Sequence, residues 1–217
     1  MKTLKSRLSV RRVNPQQTSG LNQFLRLYVR CFDADERVSA GIIRRVVRTP
    51  GRAVNPVHLF GAFEGKLLVG DAVTVAFPAF QVIFGSYLFV GARWRGQGLG
   101  TRILREVLNL ERHSPGVPPP WRLYGEVTTS NNSWWKTSLR HAGFRFFPSP
   151  WPIPSYREPD KLLPARLCYY PFLSHPPSRF SQPAMLACVY TLFYGPQAMH
   201  RHLLPQLQSF IPLTPRP

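Results

Sequence analysis

Apolar residues along this chain recur with two periods, and the changes of period mark out its elements. Leu21, Phe24, Leu25, Tyr28 and Phe32 are spaced by three and four, which places them on one face of a helix. Asp33-Ala34-Asp35 interrupts the stripe, and two carboxylates so placed fit a loop or helix cap better than a catalytic pair. Val38, Ile42 and Val46 begin a second helical pattern that Thr49-Pro50-Gly51 stops. Ahead of both, Leu8 to Val13 predicts a short strand followed by a polar turn. Val57 to Phe63 and Leu67 to Phe77 predict two strands about a hairpin turn at Glu64-Gly65-Lys66, and Val82 to Val90 continues the sheet. Helical spacing returns at Ile103, Leu104, Val107 and Leu108, within a predicted helix from Arg102 to Arg112. A proline-rich connector over 113–120 then leads to a strand from Leu123 to Thr128.

The last third changes in kind. Pro148, Pro150, Pro152, Pro154, Pro159 and Pro164 exclude a central strand or helix. Their flanks, Phe144 to Phe147 and Arg166 to Phe172, are predicted to pair as the last two strands, leaving the prolines as a long substrate-facing loop. Beyond them Ser181 can cap a helix with Pro183 in its first turn and Gly195-Pro196 as its stop. Leu186, Val189, Tyr190 and Phe193 would form its buried stripe. About 13 residues of helix are marginal alone, so this one needs a surface to dock on. No internal repeat is visible, and the expected organisation is a domain over 1–172 with an extension over 173–217.

Between the strand ending at Val90 and the helix that follows lies Gly91-Ala92-Arg93-Trp94-Arg95-Gly96-Gln97-Gly98-Leu99-Gly100-Thr101. A glycine-rich basic turn at a helix N-terminus presents unpaired N–H groups beside the positive end of the helix dipole, which makes it an anion cradle. The spacing is neither the GxGxxG of dinucleotide folds nor the glycine-lysine-Ser/Thr of NTPases. It resembles the RxxGxG signature of the GNAT superfamily of N-acetyltransferases, carried here by Arg95, Gly98 and Gly100. A second motif agrees: after the strand Leu123 to Thr128 comes Asn132, with Gly143-Phe144 eleven and twelve residues later, the family's separation. The resemblance covers roughly residues 8 to 172 and is strongest from Tyr87 to Phe144.

This resemblance implies an α/β (α+β) fold of the acyl-CoA N-acyltransferase type, with a mixed, mostly antiparallel sheet flanked by helices. It also implies acetyl-CoA as cosubstrate. The main chain of Phe89 and Val90 would bond the pantetheine arm; Arg95, Gly96, Gln97, Gly98, Leu99, Gly100 and Thr101 would hold the pyrophosphate; Asn132 would reach the arm. The strands around Val90 and Val127 would splay to admit the acetyl group. The implied reaction moves an acetyl group to an amine of a small molecule or protein. Many members carry a Tyr seven residues after the Asn to protonate the leaving thiolate, and here that position is Leu139. Tyr124, Tyr156 or solvent would then supply the proton, or the protein binds acetyl-CoA without efficient transfer. Trp134-Trp135 either cap the pocket or pack in the core.

The base is read from the strand pattern. Glu126 and Thr128 alternate onto one face beside the expected acetyl position, where a carboxylate can take a proton directly or through water. A salt-bridged surface role is the alternative. Asp71 and Tyr87 are weaker candidates of the same kind, and His58 in an apolar strand reads as a partnered core histidine.

Charge adds a rival reading. At 217 residues the chain has a net charge of +18, mostly arginine. Such an excess draws polyanions, so an RNA- or ribosome-associated binding protein is a second possibility, although no aromatic-basic RNA motif occurs. Cys31, Cys168 and Cys188 have no metal or disulfide spacing, and no metal is expected. No apolar run reaches the ~20 residues needed to span a bilayer. A cytoplasmic location, as monomer or homodimer, is the expectation.

Overall fold

The computed structural model describes residues 8–48, 54–114, 119–128, 133–158, 160–176, 180–198 and 201–202, with side chains for all of these except 133–135, 197 and 198. Seven strands form one sheet in the order β1-β2-β3-β4-β5-β9-β6. They are β1 (Leu8–Arg12), β2 (Val57–Glu64), β3 (Leu67–Phe77), β4 (Val82–Val90), β5 (Arg122–Thr128), β6 (Arg145–Phe146) and β9 (Ala165–Pro171). Every neighbouring pair is antiparallel except β4 with β5, which run parallel. A two-residue ribbon, β7 (Ile153–Pro154) with β8 (Leu162–Leu163), stands apart from this sheet inside the proline-rich passage. The flanks of that passage pair as predicted, with β9 between β5 and β6.

Five helices cover the two faces. On one lie α1 (Thr18–Cys31), α2 (Ala40–Val47) and α5 (Gln182–Ala198); on the other lie α3 (Leu99–Arg112) and α4 (Ser133–His141). Helix α1 buries Leu21, Phe24, Leu25 and Tyr28, the predicted stripe, against Val73, Tyr87 and Phe89 of the sheet. Ser39 caps α2, its Oγ accepting the Ile42 N–H at 3.3 Å. Helix α3 starts three residues earlier than predicted, because Gly98 takes a left-handed φ of 75° and carries the chain directly into the first turn. Its apolar face packs Ile103 and Val107 with Ala72 and Val90, and Leu104 and Leu108 with Ile83 and Leu123.

The C-terminal helix is part of the core. Met185, Leu186, Val189 and Tyr190 are buried with Phe84, Tyr124, Trp151 and Leu167. Ser181 stands at its start, with Oγ 3.4 Å from the Ala184 N–H, and Gly195, at φ 84°, breaks it. None of the described helices is long and apolar enough to cross a membrane.

One polar cluster crosses the core. Glu111, in the last turn of α3, is fully buried. Arg12 Nη2 donates to its carboxylate at 3.3 Å, His58 Nδ1 lies 2.9 Å away, and the Thr74 hydroxyl donates to it as well. Arg12 also donates to Ser114 at 2.6 Å. His58 is therefore partnered, as its place in an apolar strand predicts, and it belongs to the scaffold. Asp35 likewise belongs to a latch between loops, its carboxylate accepting from Lys161 at 2.6 Å while its carbonyl accepts the Tyr156 N–H at 2.8 Å.

Candidate active site

Strands β4 and β5 pair only from Val82 opposite Arg122 to Gly85 opposite Gly125. At that point β4 carries a bulge against β3: Val73 opposes Tyr87 and Thr74 opposes Gly85, which leaves Ser86 as the extra residue. A bulge bends its strand and redirects the side chains that follow. Beyond it the two strands part around a cavity of about 290 Å³, with Leu88, Phe89 and Val90 on one wall and Glu126, Val127 and Thr128 on the other. The parting begins at the bulge, four residues before Val90.

Arg95 stands in this cavity, its Nε donating to the Val90 carbonyl at 3.0 Å. Past it the chain is exposed through Gly96, Gln97 and Gly98. Gly96 and Gly98 have φ of 74° and 75°, and a Cβ on either would meet nothing within 4 Å, so the loop holds a left-handed shape with open space beside it. Leu99 turns inward as a buried anchor, while Gly100 and Thr101 sit half-buried in the first turn of α3. The first-turn N–H groups of a helix have no intrahelical acceptors. An open glycine turn, a helix start and an arginine are therefore together at one end of the cleft. Asn132 and its neighbour Asn131 lie outside the described residues, as do the side chains of Trp134 and Trp135.

Glu126 lines both this cleft and a second chamber of about 70 Å³ behind it. Two neutral donors hold its carboxylate: Trp151 Nε1–H at 2.8 Å on Oε1 and Tyr194 O–H at 2.9 Å on Oε2. Burial away from bulk water disfavours the charged form more than these two bonds favour it, and the carboxyl is pushed up to about 7. Tyr194 stacks on Tyr156 with centroids 5.1 Å apart, and both rings line the same chamber as Tyr87. Burial also raises the phenols of Tyr87, Tyr156 and Tyr194, so all three are neutral near pH 7. Tyr87 accepts the Val38 N–H at 3.0 Å, fixing the segment between α1 and α2 to the sheet.

Several sequence candidates separate here. Tyr124 is not in the cleft: it is fully buried among Phe147 and Tyr169, with Arg122 donating to its hydroxyl at 3.2 Å, because β5 is still paired on both sides at that residue. It is no proton donor to a ligand. Asp71 is fully buried on the α1 face of β3, lines neither the cleft nor the chamber, and burial raises its carboxyl well above the usual range. Leu139 does line the cleft. Trp151 and Tyr194 are the functional side chains that sequence reasoning missed. Tyr194 follows Tyr190 by four residues, on the edge of the predicted stripe, and that spacing was its one available signal.

No protein-family model matches the chain, and no curated protein matches its sequence. Solved structures do match its shape. One is a protein from Bacteroides thetaiotaomicron assigned to the GNAT family of acetyltransferases, at TM-score 0.66 and 17% identity, covering 86% of this chain and 98% of that one. Another is the ribosomal-protein-S18-alanine N-acetyltransferase of Escherichia coli, at TM-score 0.56 and 16% identity, covering 80% of this chain and 99% of that one. A spermidine N-acetyltransferase chimera from Vibrio cholerae and hSSAT matches at TM-score 0.58 and 12% identity, over 76% of this chain and 96% of that one. The fold of this chain is that of the GNAT acetyltransferases.

Proposed function

We propose that the protein is an N-acetyltransferase that moves an acetyl group from acetyl-CoA to an amine. The observation that carries this reading is the coincidence of two features in one cleft: the open glycine turn at the start of α3, and a carboxylate poised near neutrality where β4 and β5 part.

The residues fit the cosubstrate. Arg95, the left-handed glycines and the first-turn N–H groups of α3 suit a pyrophosphate, which the positive helix end favours further. The resemblance assigns the pantetheine arm to the main chain at Phe89 and Val90 and to Asn132. The acetyl group then lies in the parted section of the cleft.

The chemistry follows from Glu126. An amine must lose a proton to become a nucleophile, and a carboxyl near 7 is matched to that task at neutral pH. The amine nitrogen attacks the thioester carbonyl carbon, its proton passes to Glu126, and the carbon–sulfur bond breaks. Trp151 and Tyr194 hold the carboxylate oriented and keep its charge partly solvated in the chamber. Leu139 cannot protonate the leaving sulfur. A thiol of pKa about 8.5 is a good leaving group and can take its proton from water.

The test is calorimetric titration of coenzyme A, beside a generic oligonucleotide of equal charge. Wild type should bind coenzyme A, and Gly98→Asp, which sets a negative side chain on a left-handed residue facing the pyrophosphate, should weaken binding at least tenfold in a folded protein. Unchanged affinity in the variant, or binding of the oligonucleotide alone, would reject the reading.

A further inference from the structure

A third and larger cavity opens from the same point. It measures about 780 Å³, within the range of sites that enclose small ligands, and lies between α2, the sheet and α5. Ser86 and Tyr87 line all three cavities, so the bulge in β4 is where the cleft, the Glu126 chamber and this groove meet. Tyr156 and Phe193 line both the chamber and the groove. The hydroxyl oxygen of Ser86 is buried there with no hydrogen-bond partner among the described residues. A polar atom of that kind calls for a partner from a ligand or water.

The groove is apolar. Ile43, Val57, Val73 and Val75 form its floor, and its rim exposes Ile42 by 50%, Val46 by 40%, Val54 by 80% and Leu192 by 51%. Those four are half of the large apolar side chains that the described surface exposes to this degree, gathered round one opening. No Asp or Glu lines the groove, but Arg37 and Arg157 do. Both are joined to residues that line the chamber. Arg37 donates through Nε to the carbonyl of Phe32, itself a chamber residue, at 3.1 Å, and Arg157 directly follows Tyr156. Neither forms an ion pair among the described residues.

Resting on the acetyltransferase reading, we infer that the groove is the acceptor site and that its acceptor is a free amino acid with a large aliphatic or aromatic side chain. The amine enters the chamber at Glu126, the neighbouring carboxylate lies against Arg37 and Arg157, and the side chain fills the apolar groove. One ammonium can sit in the chamber, which Glu36 and Glu126 line, but the further ammonium groups of a polyamine find no carboxylate in the groove and meet Arg37 and Arg157 there. Desolvating further ammonium groups against apolar walls is costly without paired acids. Such acceptors are rejected.

The experiment offers leucine, phenylalanine, leucinamide and spermidine to the full chain, reading thiol release with acetyl-CoA and, separately, calorimetric binding without it. Leucine and phenylalanine should be acetylated with kcat/KM at least tenfold above spermidine. Arg157→Gln should raise KM for leucine about tenfold and leave leucinamide unchanged. Val46→Asp and Leu192→Asp, at exposed rim positions the fold tolerates, should each raise KM for leucine without changing KM for acetyl-CoA. Spermidine acetylated in preference to the amino acids overturns this inference and leaves the acetyltransferase reading standing. Amino acids that bind with the expected variant pattern but accept no acetyl group overturn that reading and leave the groove's specificity standing. Amino acids that neither bind nor react, in a protein that binds coenzyme A, overturn the inference.

Discussion

The protein encloses two glutamates on opposite faces of one sheet, and their surroundings differ in kind. Glu111 is sealed from solvent, its carboxylate held by the Arg12 guanidinium at 3.3 Å, the His58 ring at 2.9 Å and the Thr74 hydroxyl. Among the described residues the hydrogen-bond donors to Glu126 are neutral, Trp151 and Tyr194, and the carboxylate opens onto two cavities. A buried carboxylate paired with a guanidinium is structural, because breaking the pair leaves a charge uncompensated inside the core. Held by dipoles alone, a carboxylate sits near the point where it exchanges a proton with a ligand. The first welds α3 to β1 and β2, and the second is available for chemistry.

The largest effect expected of this contrast is on turnover. Glu126→Gln keeps both hydrogen-bonding positions but cannot take a proton, and kcat should fall by about 10²–10³ with KM for acetyl-CoA little changed, since the interaction lost belongs to the chemical step. Glu111→Gln should do the reverse. Leaving Arg12 without its countercharge should cost about 2–3 kcal/mol of folding stability, lowered from the range for sealed pairs because Arg12 is partly exposed, while kcat of the folded fraction stays within about twofold. Urea denaturation and steady-state kinetics on both variants would break the comparison if each lost the same property.

A smaller effect sharpens it. Tyr194→Phe removes one of the two donors to the charged form, so the Glu126 carboxyl should rise above its value of about 7. The ascending limb of kcat against pH should move up by about half to one unit, with the plateau at high pH retained. Removal of α5 packing alone would lower the plateau instead. The smallest effect belongs to Leu139→Tyr, which offers the leaving sulfur a proton donor it does not need; kcat should change by less than about twofold, given a thiol pKa of about 8.5.

The strand and helix stripes were legible because burial on one side enforces their periods, and Leu21, Phe24, Leu25 and Tyr28 are buried in the order the spacing implies. The glycine turn was legible because its shape depends on backbone freedom that Gly96 and Gly98 announce directly. What surrounds Glu126 was not. Trp151 lies in a proline-rich passage with no period, and Tyr194 sits at the end of a helix whose docking partner is distant in sequence. Their convergence on one carboxylate comes from tertiary packing of β5, the β7 segment and α5. The displacement of Tyr124 into the core has the same origin: strand alternation places it on the face of Glu126, but only the end of the β4–β5 pairing decides which of the two meets open space.

The central claim is that Glu126 takes the proton from the attacking amine. The direct test is kcat against pH for wild type and Glu126→Gln on one accepted amine. The account predicts a wild-type profile rising through a limb near pH 7, where the carboxyl loses its proton and becomes a base, and a low, flat profile in the variant over the same range. An unchanged ascending limb in Glu126→Gln would show that another group or bulk water accepts the proton, and would contradict it.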